Sequence, residues 1–221
     1  VTIPHKELIG SQLDALDRSA RSVGAVNTVV NQSGMLTGYN TDLSGFAATV
    51  QSCGITLRGR PVAVIGAGGS ARAVVRALVD MEALVTICNR DEGKAQALAA
   101  RLSVPAKMAA LYSSAARRAI ETGDLVVNTT PLGMSHLPVS PLPNGTQLDP
   151  RTVVIDLVYG STTPLVRQAL EAGCSVLDGI EMLVQQGAAA FELWTGVAPH
   201  LEVMRAACRH TLREVDICSV S

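Results

Sequence analysis

The sequence predicts an α/β protein whose centre is a doubly wound parallel sheet. From Val62 onward, short β-branched apolar runs alternate with segments of helical periodicity, which is the pattern of βαβ units. Hydrophobic residues make up 48% of the 221 residues and aromatic residues only 3%, which suits strands buried on both faces. A glycine-rich turn at residues 66–70 joins the first of these strands to its helix.

A smaller α/β unit is predicted before that sheet. Its predicted elements are a strand over 1–3, a helix over 6–22 with apolar residues at helical spacing, a hairpin of strands over 25–31 and 35–40, and a helix over 43–52. We interpret residues 1–56 as the remnant of an N-terminal α/β domain. Because the first residue is Val and the opening strand is already under way, we expect the chain to begin inside a longer protein.

The larger unit is expected over residues 57–178, and C-terminal helices over 179–221 are expected to pack back toward the first unit. The predicted strands are 62–66, 83–88, 124–128, 152–157 and 175–178, and the predicted helices are 70–80, 91–102, 112–121, 163–172, 180–194 and 201–215. Right-handed crossovers between parallel strands then give a Rossmann-like sheet. A proline-rich irregular loop at 135–150 is expected beside the strand ends, where long loops are often functional.

Composition excludes several classes of function. No apolar stretch reaches the ~18 residues of a membrane span, so the sequence predicts a soluble protein without a membrane partner. A net charge of −1 gives no reason to expect nucleic acid. The five cysteines have no close-spaced pair and are expected to be reduced thiols in the cytoplasm. The scattered histidines predict no metal site.

The glycine-rich turn predicts a dinucleotide site. Its residues are Gly66, Ala67, Gly68, Gly69 and Ser70, and they lie between a buried strand and the start of a helix. A helix N-terminus there presents free N–H groups and a positive dipole end to a pyrophosphate. A glycine turn can also be only a turn, but the strand before it and the helix after it favour the dinucleotide.

The residues that follow the next strand favour NADP over NAD. That strand ends at Asn89, where NAD enzymes usually carry a carboxylate for the ribose hydroxyl. Arg90 and Lys94 are cations suited to a 2′-phosphate. Asp91 opposes this interpretation, since its carboxylate would repel the phosphate. It could instead be the acidic start of a helix.

Two polar residues of the first unit are candidates for chemistry. Lys6 follows a predicted strand end, and Asp42 lies where a strand meets a helix. Each also has an ordinary structural interpretation, Lys6 as a solvated residue of a first turn and Asp42 as a helix N-cap. The residue pattern alone does not decide between these interpretations.

Ordered motifs along nearly the whole chain resemble the shikimate dehydrogenase family. They are Val-Thr-Ile-Pro-His-Lys at 1–6, Gly-Ala-Val-Asn-Thr at 24–28, Gly-x-Asn-Thr-Asp-x-x-Gly at 38–45, Gly-Ala-Gly-Gly-Ser-Ala at 66–71, Asn-Arg at 89–90, Asn-Thr-Thr-Pro-Leu-Gly-Met at 128–134, Asp-Leu-Val-Tyr at 156–159, Asp-Gly at 178–179, Met-Leu-Val-x-Gln at 182–186 and Ala-Phe-Glu-Leu-Trp-Thr-Gly at 190–196. Each motif is short, but together they are specific.

The resemblance implies a reversible reduction of 3-dehydroshikimate to shikimate by NADPH, a step toward the aromatic amino acids. It makes Lys6 and Asp42 the catalytic pair. The substrate-binding positions that it implies are Thr2, Lys6, Asn27, Asp42, Tyr159 and Gln186. The cofactor-binding positions are Gly66, Ala67, Gly68, Gly69, Ser70, Asn89, Arg90, Asp91, Lys94, Leu157 and Gly179.

The sequence departs from the family pattern in ways that leave alternatives open. The family's Ser-x-Ser carboxylate-binding motif does not occur before Val1, so residues 1–221 alone are expected to have little or no turnover. Asp91 replaces the family's usual Thr, and the segment after Tyr159 is short. Alternative hypotheses are an NAD-dependent quinate/shikimate dehydrogenase, a glutamyl-tRNA reductase and a non-catalytic nucleotide-binding homologue. A monomer or homodimer is expected.

Overall fold

The computed structural model describes residues 1–2, 5–160 and 162–218. In chain order, the elements are a 3₁₀ helix at Ile9–Gln12, β1 Ala15–Leu16, α1 Arg18–Val23, β2 Thr28–Gln32, β3 Met35–Tyr39, α2 Thr41–Ser52, β4 Pro61–Ile65, α3 Gly69–Asp80, β5 Leu84–Asn89, α4 Glu92–Leu102, β6 Lys107–Ala110, α5 Ser114–Glu121, β7 Leu125–Asn128, β8 Val153–Asp156, α6 Pro164–Glu171, β9 Ser175–Leu177, α7 Gly179–Thr195 and α8 Leu201–Cys218. Among these helices, none has the length and apolar character needed to span a membrane.

The larger sheet is fully parallel, with the strand order β6-β5-β4-β7-β8-β9. The chain enters this sheet in the middle, at β4, and adds β5 and β6 outward on one side. It then returns to add β7 on the other side of β4. The predicted doubly wound sheet is therefore confirmed. The direction reverses between β4 and β7, and ligands of such sheets bind in the crevice beyond the strand ends at this point.

Both faces of this sheet are covered by helices, which explains the continuous apolar strands. Val62 and Val64 of β4 face a core built with α3 and α4, whereas Ala63 and Ile65 face a second core built with α5 and α6. All four residues are buried. With side chains alternating along a strand, two buried faces require every position to be apolar.

The smaller sheet contains the predicted hairpin. Strands β2 and β3 pair antiparallel, with Gln32 opposite Met35 beside the turn. The short strand β1 pairs in parallel with β3 and completes the order β1-β3-β2.

The predicted helix over 6–22 is wrong. The structure has the 3₁₀ helix, β1 and α1 in this segment, because Asp17 accepts a hydrogen bond from the Ser19 amide at 2.8 Å and starts a new helix there. The predicted opening strand is also wrong for Val1 and Thr2, which lie in no strand, while Ile3 is outside the described residues.

The edge strand β6 was not predicted, because its residues Lys107–Ala110 have little β-propensity. Three of the predicted helices start later than expected, because a residue assigned to the first turn is the N-cap instead. Asp91 caps α4, Ser113 caps α5 and Thr163 caps α6. The segment between Asn128 and Val153 contains no helix or strand, which confirms the long irregular loop.

The C-terminal helices lie against the first unit. α7 packs on α2, where a Cβ atom placed on Gly45 would lie only 2.7 Å from the Gln186 amide nitrogen. Trp194 donates a hydrogen bond at 3.0 Å to the Val29 carbonyl oxygen, and α8 packs on α7. The domain boundaries at residues 56 and 178 stay predictions.

An ion pair joins α8 to the start of α7. Arg205 donates two hydrogen bonds to Glu181, at 2.8 and 2.9 Å, and both side chains are largely buried. These bonds hold the pKa of Glu181 below its usual range. A lowered carboxyl pKa means that the pair stabilises the fold at neutral pH and that this contribution is lost as the pH falls through the lowered pKa.

We expect Arg205→Met to lower the free energy of unfolding by about 1–3 kcal/mol at neutral pH, because the largely buried Glu181 carboxylate keeps its hydrogen bond from Gln185 but loses its ion-pair partner. The difference from wild type should shrink in acid, as urea denaturation at several pH values would show. Glu202→Gln is the control, since Glu202 is 89% exposed and its bond to Arg205 should contribute less than ~0.5 kcal/mol. Equal losses in the two variants would contradict this account.

Candidate active site

Lys6 and Asp42 meet in a short ion pair. The Lys6 Nζ atom lies 2.7 Å from Asp42 Oδ2, and both side chains are mostly buried. An ammonium group has three N–H donors, and this contact uses one of them. The pair can therefore hold a second oxygen atom from a bound molecule while the carboxylate keeps the ammonium in place.

The backbone holds both residues. The Lys6 carbonyl oxygen accepts a 2.7 Å hydrogen bond from the Val26 amide, which fixes the segment before the hairpin. Asp42 lies in the first turn of α2, but the N-cap of that helix is Asn40, whose Oδ1 accepts from the Leu43 amide. The interpretation of Asp42 as a helix cap is therefore wrong, and its carboxylate is available to Lys6.

Asn27 fixes the orientation of the carboxylate. Its Nδ2 atom donates to Asp42 Oδ1 at 2.9 Å and to Thr41 Oγ1 at 3.0 Å. Its Oδ1 atom accepts from the Thr41 amide at 2.8 Å. Both Asp42 oxygens thus have a partner, so the carboxylate cannot rotate away from Lys6. Asn40 and Thr41 were not predicted as site residues, although both lie in the Gly-x-Asn-Thr-Asp motif around Asp42.

The other candidate substrate positions are less tightly held. Gln186 packs on Gly45, one helical turn beyond Asp42, and its Nε2 atom donates to the Leu183 carbonyl at 2.9 Å. Thr2 is exposed near Lys6, and its carbonyl accepts from the His5 amide. Tyr159 is 49% exposed on the loop after β8. The structure thus places Gln186 against Gly45 in the helix of Asp42 and leaves Thr2 and Tyr159 at the surface.

The glycine turn lies at the crevice between β4 and β7. Gly66 has φ of +113°, a value that side chains rarely allow, and a Cβ atom there would collide with the Thr129 hydroxyl. Thr129 follows β7 and donates from its amide and its hydroxyl to the Ile65 carbonyl, at 2.9 and 2.8 Å. The two strand ends are therefore tied together, and only glycine fits between them.

The N-terminus of α3 suits a phosphate group. Side chains cap α1, α2, α4, α5, α6 and α7, namely Asp17, Asn40, Asp91, Ser113, Thr163 and Asp178. Within the described part of the chain, no side chain caps α3, whose N-cap is Gly68. Cβ atoms on Gly68 and Gly69 would meet nothing within 4 Å. The free N–H groups and the open space fit the pyrophosphate of a dinucleotide.

The corner after β5 presents two cations to solvent. Asn89 Nδ2 donates to the Asp91 carbonyl at 2.7 Å, which shapes the turn. The Asp91 side chain faces the Lys94 amide, so its carboxylate serves as a helix cap. Arg90 and Lys94 are exposed. The expected conflict between Asp91 and a 2′-phosphate is reduced, because the helix N-terminus partly compensates the Asp91 charge.

A buried polar network connects the strand ends beside the crevice. Asn128 and Asp156 end β7 and β8, are fully buried, and share a 2.9 Å hydrogen bond. Asp156 also accepts from the Thr163 hydroxyl at 2.6 Å and from the Val158 amide at 3.1 Å. Burial raises the pKa of Asp156 above its ordinary value despite these bonds. The network joins the loops after both strands.

This network also places two candidate cofactor positions. The Leu157 amide donates to the Asn128 carbonyl at 3.0 Å, and the Gly179 amide donates to the Val158 carbonyl at 3.2 Å. From the sequence, Asn128 and Asp156 were recognised only as parts of motifs and had no predicted role. A usable signal was present, since both are polar residues at the ends of buried parallel strands. No cluster of metal-ligating side chains occurs among the residues that the structure describes.

Three protein-family models match the chain. The shikimate dehydrogenase substrate binding domain matches residues 1–29, the shikimate / quinate 5-dehydrogenase model matches 48–157, and the shikimate 5'-dehydrogenase C-terminal domain matches 179–209. Their order along the chain is the order of the structural units described above.

Individual proteins are similar over almost all of the chain. The shikimate dehydrogenase (NADP(+)) of Symbiobacterium thermophilum is 44% identical over 215 residues, covering 94% of this chain and 73% of the relative. The shikimate 5-dehydrogenase of Thermus thermophilus, solved in complex with NADP(H) and shikimate, superposes with a TM-score of 0.84 at 37% identity, covering 95% and 77%. A quinate dehydrogenase from Corynebacterium glutamicum, solved in complex with NAD, superposes with a TM-score of 0.83 at 34% identity. The match covers 93% of this chain and 74% of that protein.

Proposed function

The chain belongs to the shikimate dehydrogenase family, and we therefore propose that it catalyses the reversible NADPH-dependent reduction of 3-dehydroshikimate to shikimate. The observation that carries this proposal is the 2.7 Å pair of Lys6 and Asp42, in a chain whose glycine turn fits a dinucleotide. This reaction serves the synthesis of aromatic amino acids.

The pair has the chemistry that ketone reduction requires. Bound NADPH supplies a hydride to the carbonyl carbon. The carbonyl oxygen then gains negative charge, and the Lys6 ammonium can stabilise that charge and give up a proton to form the hydroxyl. Asp42 holds the ammonium in position. In the oxidation direction, neutral Lys6 takes the proton back from the hydroxyl as the hydride leaves.

We place the substrate between this pair and α7. Asn27, Gln186, Thr2 and Tyr159 are proposed to bind its ring hydroxyls and carboxylate. Support comes from Asn27, which already bonds Asp42, and from Gln186 of α7, which packs on Gly45, one turn beyond Asp42 along α2.

NADP is proposed to lie across the crevice between β4 and β7. The residues from Gly66 to Ser70 would hold the pyrophosphate on α3. Asn89, Arg90, Asp91 and Lys94 would surround the 2′-phosphate of the adenosine ribose, with Leu157 and Gly179 beside the nicotinamide end. The open space at Gly68 and the exposed cations after β5 support this placement.

We expect Arg90→Met to raise the KM for NADP about 10- to 100-fold, because a charge-assisted contact to the 2′-phosphate is lost. The KM for NAD should change little, since NAD has no phosphate at that position. Steady-state kinetics with both dinucleotides provide the comparison within one variant. An equal change for NAD and NADP would favour the alternative of an NAD-dependent quinate/shikimate dehydrogenase.

The direct test of the function is an assay of NADPH formation from shikimate and NADP. It uses the protein as its gene encodes it, including any residues outside 1–221, with quinate as a parallel substrate. The proposal requires turnover of shikimate with NADP in preference to quinate with NAD. A folded protein that binds NADPH without turnover would indicate the non-catalytic homologue. A cytoplasmic location and a monomeric or homodimeric state stay predictions.

A further inference from the structure

An ionic bridge connects the segment that carries Lys6 with the helix of the glycine turn. Glu7, the next residue after Lys6, has its Oε2 atom 3.0 Å from Arg72 Nη2 and 3.3 Å from Arg101 Nη1. Arg72 lies in the first turn of α3 and Arg101 near the end of α4. One carboxylate therefore joins the N-terminal segment to two helices of the dinucleotide-binding unit.

Arg72 is the buried partner in this bridge. Its side chain is 13% exposed, compared with 53% for Arg101. Its Nη1 atom is buried and has no hydrogen-bond partner in the structure. Burial also lowers the pKa of Arg72, an effect that the nearby Glu7 carboxylate opposes. The Glu7 carboxylate, in the N-terminal segment, thus compensates the positive charge of Arg72.

Stability alone is a poor explanation for such an arginine. A buried guanidinium that leaves one nitrogen without a partner costs free energy, and an apolar side chain of similar size often stabilises a fold as well or better. What the bridge does supply is a fixed direction and distance between two parts of the chain. Guanidinium and carboxylate groups provide such geometry because their hydrogen bonds are directional.

We propose that the Glu7–Arg72 bridge is a positioning device that couples dinucleotide binding at α3 to the placement of Lys6. The proposal rests on the function proposed above, because in that function Lys6 exchanges a proton with the substrate oxygen and must be correctly placed. α3 is fixed at its N-terminus by the bound dinucleotide, and Arg72 transmits that position to Glu7. Lys6 is the adjacent residue, and its carbonyl is held from the other side by the Val26 amide. Neither Glu7 nor Arg72 touches the reacting atoms in this scheme.

Hydrogen–deuterium exchange tests the coupling without turnover. NADPH is added to the wild-type protein and to the Glu7→Gln and Arg72→Met variants, and exchange of backbone amides in residues 5–12 is followed. We expect NADPH to slow this exchange in wild type and to have no such effect in either variant. Arg76→Met is the matched control, since Arg76 pairs with Asp80 inside α3 and should leave the NADPH effect intact.

Kinetics provide the second measurement. In both bridge variants kcat should fall about 10- to 100-fold, because a catalytic group displaced by an ångström loses this much. Because coupling is reciprocal and the glycine turn is unchanged, the Kd for NADPH should rise only by about the factor by which NADPH slows exchange of residues 5–12 in wild type. An Arg72→Lys variant should keep part of the kcat that Arg72→Met loses, because it retains the charge. Arg76→Met should keep the wild-type kcat.

Two results would overturn the coupling. In one, NADPH still slows amide exchange of residues 5–12 in the bridge variants; in the other, NADPH does not slow that exchange in wild type. Wild-type kcat in a folded Glu7→Gln protein would do the same. If wild type itself fails to oxidise shikimate, the proposed function fails, while the exchange experiment still decides on the bridge. If Arg72→Met does not fold, Glu7→Gln carries both measurements.

Discussion

The Lys6→Met variant should lose about 10²- to 10⁴-fold in kcat for shikimate oxidation, which is the usual contribution of a positioned general acid or base. Methionine keeps the length and apolar stem of lysine but has no proton to exchange and no charge to stabilise the reacting oxygen. Steady-state kinetics in both directions measure the loss. Because microscopic reversibility holds, reduction and oxidation should suffer alike.

Binding measurements separate chemistry from folding in this variant. The Kd for NADPH should stay near the wild-type value, since Lys6 belongs to the first unit and the glycine turn lies on α3. Lys107→Met is the matched control, because Lys107 is exposed on the edge strand β6 and should tolerate the same replacement without loss of activity. A Lys6→Met protein that keeps the wild-type kcat would remove Lys6 from the reaction.

The second large effect is expected for Asp42→Asn, which should lower kcat by about 10²-fold or more, in the range of other preorganised electrostatic contacts. Asparagine preserves the shape and can still accept the hydrogen bond from Asn27. It loses the negative charge that holds the Lys6 ammonium 2.7 Å away, so Lys6 gains freedom to turn from the substrate. Initial-rate measurements with varied shikimate check the effect on kcat and on KM.

The double variant shows whether the two residues act as one unit. Since Asp42 acts through Lys6, adding Asp42→Asn to Lys6→Met should cost little beyond the Lys6→Met loss. Asp149→Asn is the control, because the Asp149 carboxylate pairs with its neighbour Arg151 in a solvent-exposed contact far from Lys6 in the sequence. If the fold-loss in kcat of the double variant equals the product of the two single losses, Asp42 acts independently of Lys6.

The parts of the fold that could be predicted depend on local signals. Apolar runs, helical periodicity and the glycine turn at Gly66 can each be recognised from residues that are close together in the sequence. They predicted the parallel sheet and most of its helices. β6 was missed because Lys107–Ala110 forms a strand through pairing with β5 at the sheet edge, and nothing in its own composition favours one.

The N-terminal unit, residues 1–56, was harder to predict because its structure depends on contacts between residues distant in the sequence. The apolar residues between Lys6 and Ser22 have helical spacing, yet Ala15 and Leu16 pair with β3 and Asp17 starts a new helix. Tertiary pairing overrides propensity in this segment.

Prediction of the candidate site follows the same division. Lys6 and Asp42 were singled out from strand ends and from the family resemblance, but their 2.7 Å contact needed the fold. That Asn40 caps α2, and so leaves the Asp42 carboxylate free, could be seen only in the hydrogen bonds. The Glu7–Arg72 bridge joins residues far apart in the sequence, and no local pattern predicts it. Asn128 and Asp156 could be noticed as polar residues at strand ends, but the hydrogen bond between them needed the fold.

A crystal structure of the protein with shikimate and NADP bound together tests the central claim most directly. The account predicts that Lys6 Nζ lies within hydrogen-bond reach, about 2.6–3.2 Å, of the shikimate hydroxyl that is oxidised, with the nicotinamide ring on the other side of the same carbon. A complex in which Nζ reaches that hydroxyl neither directly nor through one water molecule would contradict it.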